Sequence, residues 1–145
     1  MTYRLLLYLL FLFSGVAGLG YEILWTQMLS VGLGHETISM LAVVSAFFSG
    51  IALGSWLFDR PVSVSRNSAR WYAAFELVIG AWAIILAFML PSVTPWISKL
   101  IGIAPAPHQH WALAFVFPFL LLLPATAAMG GTLPAMDRVF AQLQQ

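Results

Sequence analysis

The sequence contains no cysteine, so a disulfide framework, a thiolate metal site and a cysteine nucleophile are all excluded. Charge is also scarce. Only 8% of the residues are Asp, Glu, Lys or Arg, whereas an ordinary soluble domain carries about 25%. The formal net charge of +1 provides no basic surface for nucleic acid. These absences argue against a soluble domain and against a nucleic-acid-binding protein.

Motifs for catalysis and for cofactor binding are missing as well. The sequence has no GxSxG, HExxH, Walker or dinucleotide glycine pattern. His108 and His110 lie two positions apart in a loop, which falls short of a metal site. The sequence therefore predicts no catalytic residue, no metal site and no cofactor.

Apolar residues, in contrast, make up 61% of the chain, and the mean hydropathy is +0.93. A helix needs roughly 20 apolar residues to cross the bilayer core, where the backbone must satisfy its own hydrogen bonds. Residues 1–145 are accordingly predicted to form one all-α integral membrane domain in contact with the lipid bilayer. Its four predicted spans are Leu5–Val31, Ile38–Phe58, Ala69–Leu90 and Trp111–Leu133.

Basic residues predict the orientation, because Lys and Arg concentrate on the cytoplasmic side. With four spans, a single basic residue, Lys99, falls on the outer side, and both termini are predicted to be cytoplasmic. A cleaved signal peptide ending after Phe13 is the alternative, but it would break this agreement. The inner side would carry Arg4, Arg60, Arg66, Arg70 and Arg138.

The predicted outer loop between the third and fourth spans is long and contains several prolines. Thr94 and Pro95 resemble an N-cap followed by the first residue of a helix. Trp96, Ile97 and Leu100 would share one face of that helix. A short helix lying in the outer interface and an irregular loop are both compatible with this pattern.

Small residues recur every four positions in the first and second predicted spans and also lie on one face of the third. Such stripes let helix backbones approach closely, which favours a compact bundle that can also dock on further helices. The fourth span differs, because Pro118, Pro124 and the Gly130-Gly131 pair predict a kinked or partly unwound helix, either for packing or for binding. The candidate packing residues are Ser14, Gly18, Ala42, Ala46, Gly50, Gly54 and Gly80.

Two glutamates, Glu22 and Glu76, lie inside predicted spans, where acids usually face protein or water. At 1.5 Å per residue, Glu22 is about 27 Å from Arg4, near the outer boundary, and Glu76 is about 9 Å from Arg70, near the inner one. A site that joins the two is therefore not expected. Each glutamate either binds a cation or a proton, or is a structural group with a hydrogen-bonding neighbour, which for Glu76 could be an inner arginine.

Four segments occur in an order that resembles a known family. They are "FSGVAGLGYEILWTQMLSVGLG" (Phe13–Gly34), "AFFSGIALGSWL" (Ala46–Leu57), "YAAFELVIGAWA" (Tyr72–Ala83) and "GGTLPAM" (Gly130–Met136). Together they resemble the N-terminal membrane part of the fused transporter-like/spermidine synthase family, which has major-facilitator-like helices. The 145 residues include none of that family's soluble aminopropyltransferase-like domain. Aminopropyl transfer is therefore not assigned to this chain.

The resemblance implies a non-catalytic module of the bacterial inner membrane that works as a homo-oligomer or with partner chains. Its implied substrate is a polyamine or a related cation, with Glu22, Glu76, Tyr21 and Trp25 as candidate contacts. Two alternatives remain. The chain could be an accessory or scaffold subunit of a larger membrane complex, or a membrane anchor for a separate aminopropyltransferase-like enzyme at the cytoplasmic face.

Overall fold

In a computed structural model of the chain, the described residues form four α-helices and no strand. Those residues are 2–34, 36–102 and 106–142, with side chains from residue 5 onward except at 36 and 107. Each helix is long and apolar enough to cross a membrane. The predicted all-α architecture, with four helices able to span a membrane, is thereby confirmed for the described residues. The helices are α1 (Thr2–Leu33), α2 (Glu36–Ser63), α3 (Ser68–Ile101) and α4 (Pro107–Gln142).

Local sequence explains where three of the helix ends fall. α1 and α3 are followed by Gly34 and Gly102, both with φ of 77°, a left-handed conformation that glycine adopts without a steric penalty. Their backbone N–H groups donate to the carbonyl oxygens of Ser30 and Ser98 over 3.1 and 3.0 Å. At the start of α3, the side chain of Asn67 accepts a hydrogen bond from the backbone N–H of Arg70.

α3 is longer than the span predicted from the sequence, which ends at Leu90. The helix continues through Pro91 and Pro95, so the segment interpreted as either a separate short helix or an irregular loop forms its last turns. Thr94 is buried inside α3 and donates to the carbonyl oxygen of Leu90, which is not the role of an N-cap. Packing of the buried Ile97 in the core supports the helix beyond its prolines. That this segment lies in a membrane interface stays a prediction.

The four helices are arranged as a square in the order α1, α2, α4, α3, with few contacts along the diagonals. Because the helices alternate in direction, α1 and α3 are parallel neighbours, and so are α2 and α4. At one end, Tyr8 stacks on Phe140 with ring centroids 4.5 Å apart. At the other end, a ring nitrogen of His110 lies 3.1 Å from the carbonyl oxygen of Leu33. The first and last helices therefore place both ends of the described chain at the same end of the bundle.

α2 and α4 form the most extensive helix pair, and their backbones touch. A Cβ atom at Gly54 would overlap the carbonyl oxygen of Ala127, and one at Gly130 would overlap that of Ile51. A Cβ atom at Gly50 would overlap the hydroxyl of Thr126. Glycine at these positions therefore permits the close parallel approach.

α4 is a single uninterrupted helix, so of its two predicted forms, kinked or partly unwound, the unwound one is excluded. Gly130 and Gly131 do not loosen it. They lie against α2 and against the ring of Phe75, respectively, where larger residues would collide. Pro134 removes the backbone N–H that would bond the carbonyl oxygen of Gly130. The hydroxyl of Ser55 donates to that oxygen instead, over 2.9 Å.

Candidate functional site

An open groove of about 470 Å³ lies between α1 and α2, towards the end at which these two helices are connected. Its polar residues from α1 are Glu22, Thr26, Gln27 and Ser30, and Thr37 of α2 adds a further hydroxyl. Apolar side chains complete the lining. The groove therefore offers one carboxylate, one amide and three hydroxyl groups to anything that enters it.

The carboxylate of Glu22 has no hydrogen bond and no ion pair with the part of the chain that the structure describes. The neighbouring hydroxyls are already engaged within α1. Thr26 donates to the carbonyl oxygen of Glu22 over 2.8 Å, and Ser30 donates to that of Gln27 over 2.7 Å. Glu22 is half-buried, so its carboxylate remains available to a ligand.

The other candidate contacts of α1 lie elsewhere. Trp25 is only 3% exposed and belongs to the main hydrophobic core. Tyr21 stacks on it, with ring centroids 5.4 Å apart. Neither side chain lines the groove at Glu22. Both rings face the interior of the bundle, and the interpretation of Tyr21 and Trp25 as substrate contacts stays a prediction.

Glu76 lies in a second polar cluster, between α1 and α3. The hydroxyl of Ser14 donates to Oε1 of Glu76 over 2.7 Å. Tyr72, one turn earlier on α3, interacts with both of these groups. Arg66 of the α2–α3 connection and Arg70 in the first turn of α3 are exposed. Glu76 thus has a structural partner in the hydroxyl of Ser14, and its role as a substrate contact stays a prediction.

The polar stripe of α1 divides between two environments. Residues four positions apart rotate by about 40° around a helix with 3.6 residues per turn. Ser14 and Ser30 therefore point to nearly opposite sides. Ser14 faces α3, and Gly18 is buried close to Met129 and Phe47, while the C-terminal part of the stripe lines the groove. The groove is a direct result of this drift.

The remaining candidate packing residues differ in whether another part of the chain packs against them. Ala42 and Ala46 of α2 are buried, as are Gly50 and Gly54. Gly80 of α3 differs, because a Cβ atom there would meet nothing within 4 Å. Gly80 is therefore not a point of close approach within this chain. Gly32 is such a point, since a Cβ atom there would lie 2.8 Å from the carbonyl oxygen of Thr94.

Because α1 packs parallel to α3, the residue of α3 that lies opposite Glu22 gives the position of Glu22 along the bundle axis, which we call its level. Ser14 lies opposite Glu76, an offset of 62 residues, and Gly32 lies opposite Thr94 with the same offset. Glu22 is therefore level with Ile84. Glu22 and Glu76 are consequently about 12 Å apart along the bundle, since eight residues separate their levels. The two acids do not share a site.

The two candidate ligating histidines, His108 and His110, lie in the first turn of α4. His108 is exposed, and His110 contacts the end of α1. Among the described residues, no group of three His, Asp or Glu side chains could hold a metal ion. The groove at Glu22 combines a half-buried carboxylate with an amide and hydroxyl groups, and this chemistry suits a cation.

Comparison with protein-family models, with curated proteins and with solved structures finds no match to this chain.

Proposed function

We propose that this chain is a non-catalytic module of the bacterial inner membrane that binds a cation in the α1–α2 groove and works within an assembly. The observation that carries the proposal is the carboxylate of Glu22, which lines the groove without a partner among the described residues. An isolated charge inside a bilayer is costly, and such residues commonly mark ion or substrate pathways.

The level of Glu22 supports this reading. Trp71 and Trp96 of α3 lie 25 residues apart, which is about 38 Å along a helix. Tryptophans are enriched at both membrane interfaces, and a bilayer with its headgroups is about 40–45 Å thick. Ile84, which is level with Glu22, lies at the midpoint of these two tryptophans. Glu22 would then be at the membrane centre and not near the outer boundary, because α1 extends inward beyond the level of Trp71.

The chemistry of the groove favours an organic cation that carries ammonium groups. Ammonium is a hydrogen-bond donor and has no acceptor, and the groove offers carboxylate, amide and hydroxyl oxygens. A polyamine, the substrate class implied by the family resemblance, has this character.

The orientation belongs to the same proposal. Both ends of the described chain lie at the end of the bundle where most of the basic residues are found, whereas Lys99 is at the other end. The positive-inside rule then places both termini in the cytoplasm.

Spermidine binding and uptake in proteoliposomes provide the test. We expect Glu22→Gln to lower both by at least tenfold, because the replacement keeps the shape and removes the charge. Glu76→Gln is the matched control and should change them by less than twofold, since Glu76 is engaged by Ser14. Unchanged spermidine binding in Glu22→Gln would contradict the proposal.

A second candidate, an accessory subunit of a larger membrane complex, is favoured by α1. In the most apolar 18-residue stretch of α1, only 6% is buried within the chain, against 39% for the corresponding stretch of α2. A helix that contributes so little to the bundle is available to other proteins. Extraction in a mild detergent followed by identification of co-purifying chains tests this role, and a protein that purifies without any partner would argue against it.

A further inference from the structure

The groove at Glu22 is open, and Ile23 of α1 and Met40 of α2 in its lining are exposed on the surface of the bundle. Gln27 and Thr37 form part of its rim and are exposed, while Glu22, Thr26 and Ser30 lie deeper. With Glu22 near the membrane centre, these polar groups occupy the outer half of the membrane. The open side of the groove would then face lipid.

Lipid is a poor cover for such an opening. Hydrocarbon offers no hydrogen-bond partner to the amide of Gln27 or to the carboxylate of Glu22, and each unsatisfied polar group is costly there. The stable arrangement is one in which polar groups of another helix close the groove at the same depth.

We propose that a second copy of this chain closes the groove, so that two α1–α2 faces meet around a twofold axis along the membrane normal. Copies that obey the same charge rule insert in the same orientation, and a twofold axis along the normal leaves every residue at its own depth. Gln27 of one copy then meets Gln27 of the other. This pairing is self-complementary, because an amide has both donors and acceptors.

The same symmetry completes the binding site. Two grooves that face each other form one chamber with a Glu22 carboxylate on either side. The chamber is closed towards the lipid and open towards the outer end of the bundle. Two carboxylates disfavour each other's ionisation unless a cation or a proton lies between them. Resting on the proposed function, this arrangement deepens it, since two opposed carboxylates match a ligand with two ammonium groups.

Cysteine cross-linking can test the dimer directly, because the chain has no native cysteine. Gln27→Cys places a single thiol on the rim of the groove. Phe88→Cys is the matched control. The α1–α3 offset puts Phe88 within one residue of the same depth, and its side chain is 81% exposed on another face. Both variants are oxidised in native membranes and again in proteoliposomes at a low protein-to-lipid ratio.

We expect Gln27→Cys to yield at least five times as much disulfide-linked dimer as Phe88→Cys in both preparations. Equal yields at the two positions would show random collision and overturn the dimer. A Gln27→Cys adduct with a different protein in native membranes, together with no homodimer, would overturn it in favour of a heterologous partner.

Ligand binding is tested separately from dimer formation, so that a failure of the proposed function and a failure of the proposed dimer give different results. Spermidine should increase the Gln27→Cys dimer at least twofold, and Glu22→Gln should abolish that increase. A strong dimer that does not respond to spermidine, combined with absent spermidine binding, would refute the proposed function and the two-carboxylate ligand while supporting the interface. Spermidine binding without a Gln27→Cys dimer would refute the interface alone.

Discussion

The hydroxyl of Ser14 on α1 donates a 2.7 Å hydrogen bond to Oε1 of Glu76 on α3. This contact joins two parallel helices, and Tyr72 interacts with both of its members. It gives the weakly buried first helix a polar attachment to the bundle.

We expect Ser14→Ala to lower the free energy of unfolding by about 0.6–1.7 kcal/mol, the average and the upper value for hydrogen bonds between membrane helices. In a Glu76→Gln background the same substitution should cost at least ~0.5 kcal/mol less, because the charged acceptor is gone. Double-mutant-cycle unfolding in detergent measures the coupling. Additive effects of the two substitutions would contradict a direct contact.

The glycine contacts between α2 and α4 give a second prediction. Gly54→Ala should lower the free energy of unfolding by about 3 kcal/mol, because the new methyl group collides with the backbone at Ala127. Gly80→Ala makes the same chemical change where nothing lies within 4 Å. It should be neutral or stabilise the helix by up to ~1 kcal/mol. Thermal denaturation in one detergent compares the two, and equal losses would count against the close approach.

Ser55 and Pro134 allow a sharper test of hydrogen-bond replacement. Ser55→Ala leaves the carbonyl oxygen of Gly130 without its 2.9 Å donor and should cost about 1–2 kcal/mol of unfolding free energy. In a Pro134→Ala background the restored backbone N–H can bond that oxygen, and the cost should fall below ~0.5 kcal/mol.

The control for this pair is Ser49→Ala. The hydroxyl of Ser49 bonds carbonyl oxygens of its own helix, at Ser45 and Ala46. Its removal should cost little in either background. A Ser55→Ala cost that is the same with and without Pro134 would show that Ser55 acts by packing instead.

The orientation can be measured with thiol labelling of intact cells. Val64→Cys lies in the α2–α3 connection, where the native side chain is 76% exposed. Gln109→Cys lies near the start of α4 and is also exposed. A membrane-impermeant maleimide should label Gln109→Cys and spare Val64→Cys until the cells are opened. The reverse pattern would invert the proposed topology.

The existence and number of the helices could be predicted from the sequence, because a run of apolar residues long enough to cross a bilayer has few other stable conformations. The length of α3 could not be predicted from the sequence. Prolines at 91 and 95 indicate a break when the sequence is considered locally, whereas burial of Ile97 sustains the helix. Local sequence patterns fail to predict a helix end at positions where tertiary packing determines the backbone conformation.

The candidate site was predictable only in part. Glu22 stands out because an acid in an apolar run is unusual, and four-residue spacing identifies its polar neighbours. The same spacing conceals the rotation that separates Ser14 from the groove, which depends on where α2 and α3 pack. Gly32 gave no clear signal, and Gly130 was interpreted as a point of weakness in α4, since the importance of a glycine depends on the backbone that lies opposite it.

The parallel pairing of α2 with α4 has a consequence for biosynthesis. Helices leave the ribosome in order, so α2 enters the membrane while its packing partner is still untranslated. Until α4 arrives, the hydroxyl of Ser55 and the glycine face of α2 have no fixed neighbour, and the core cannot close. Contacts between segments far apart in sequence also form slowly. Truncation before α4 should therefore leave an insertion intermediate that is prone to degradation or to capture by chaperones, even though three of its four spans are already in place.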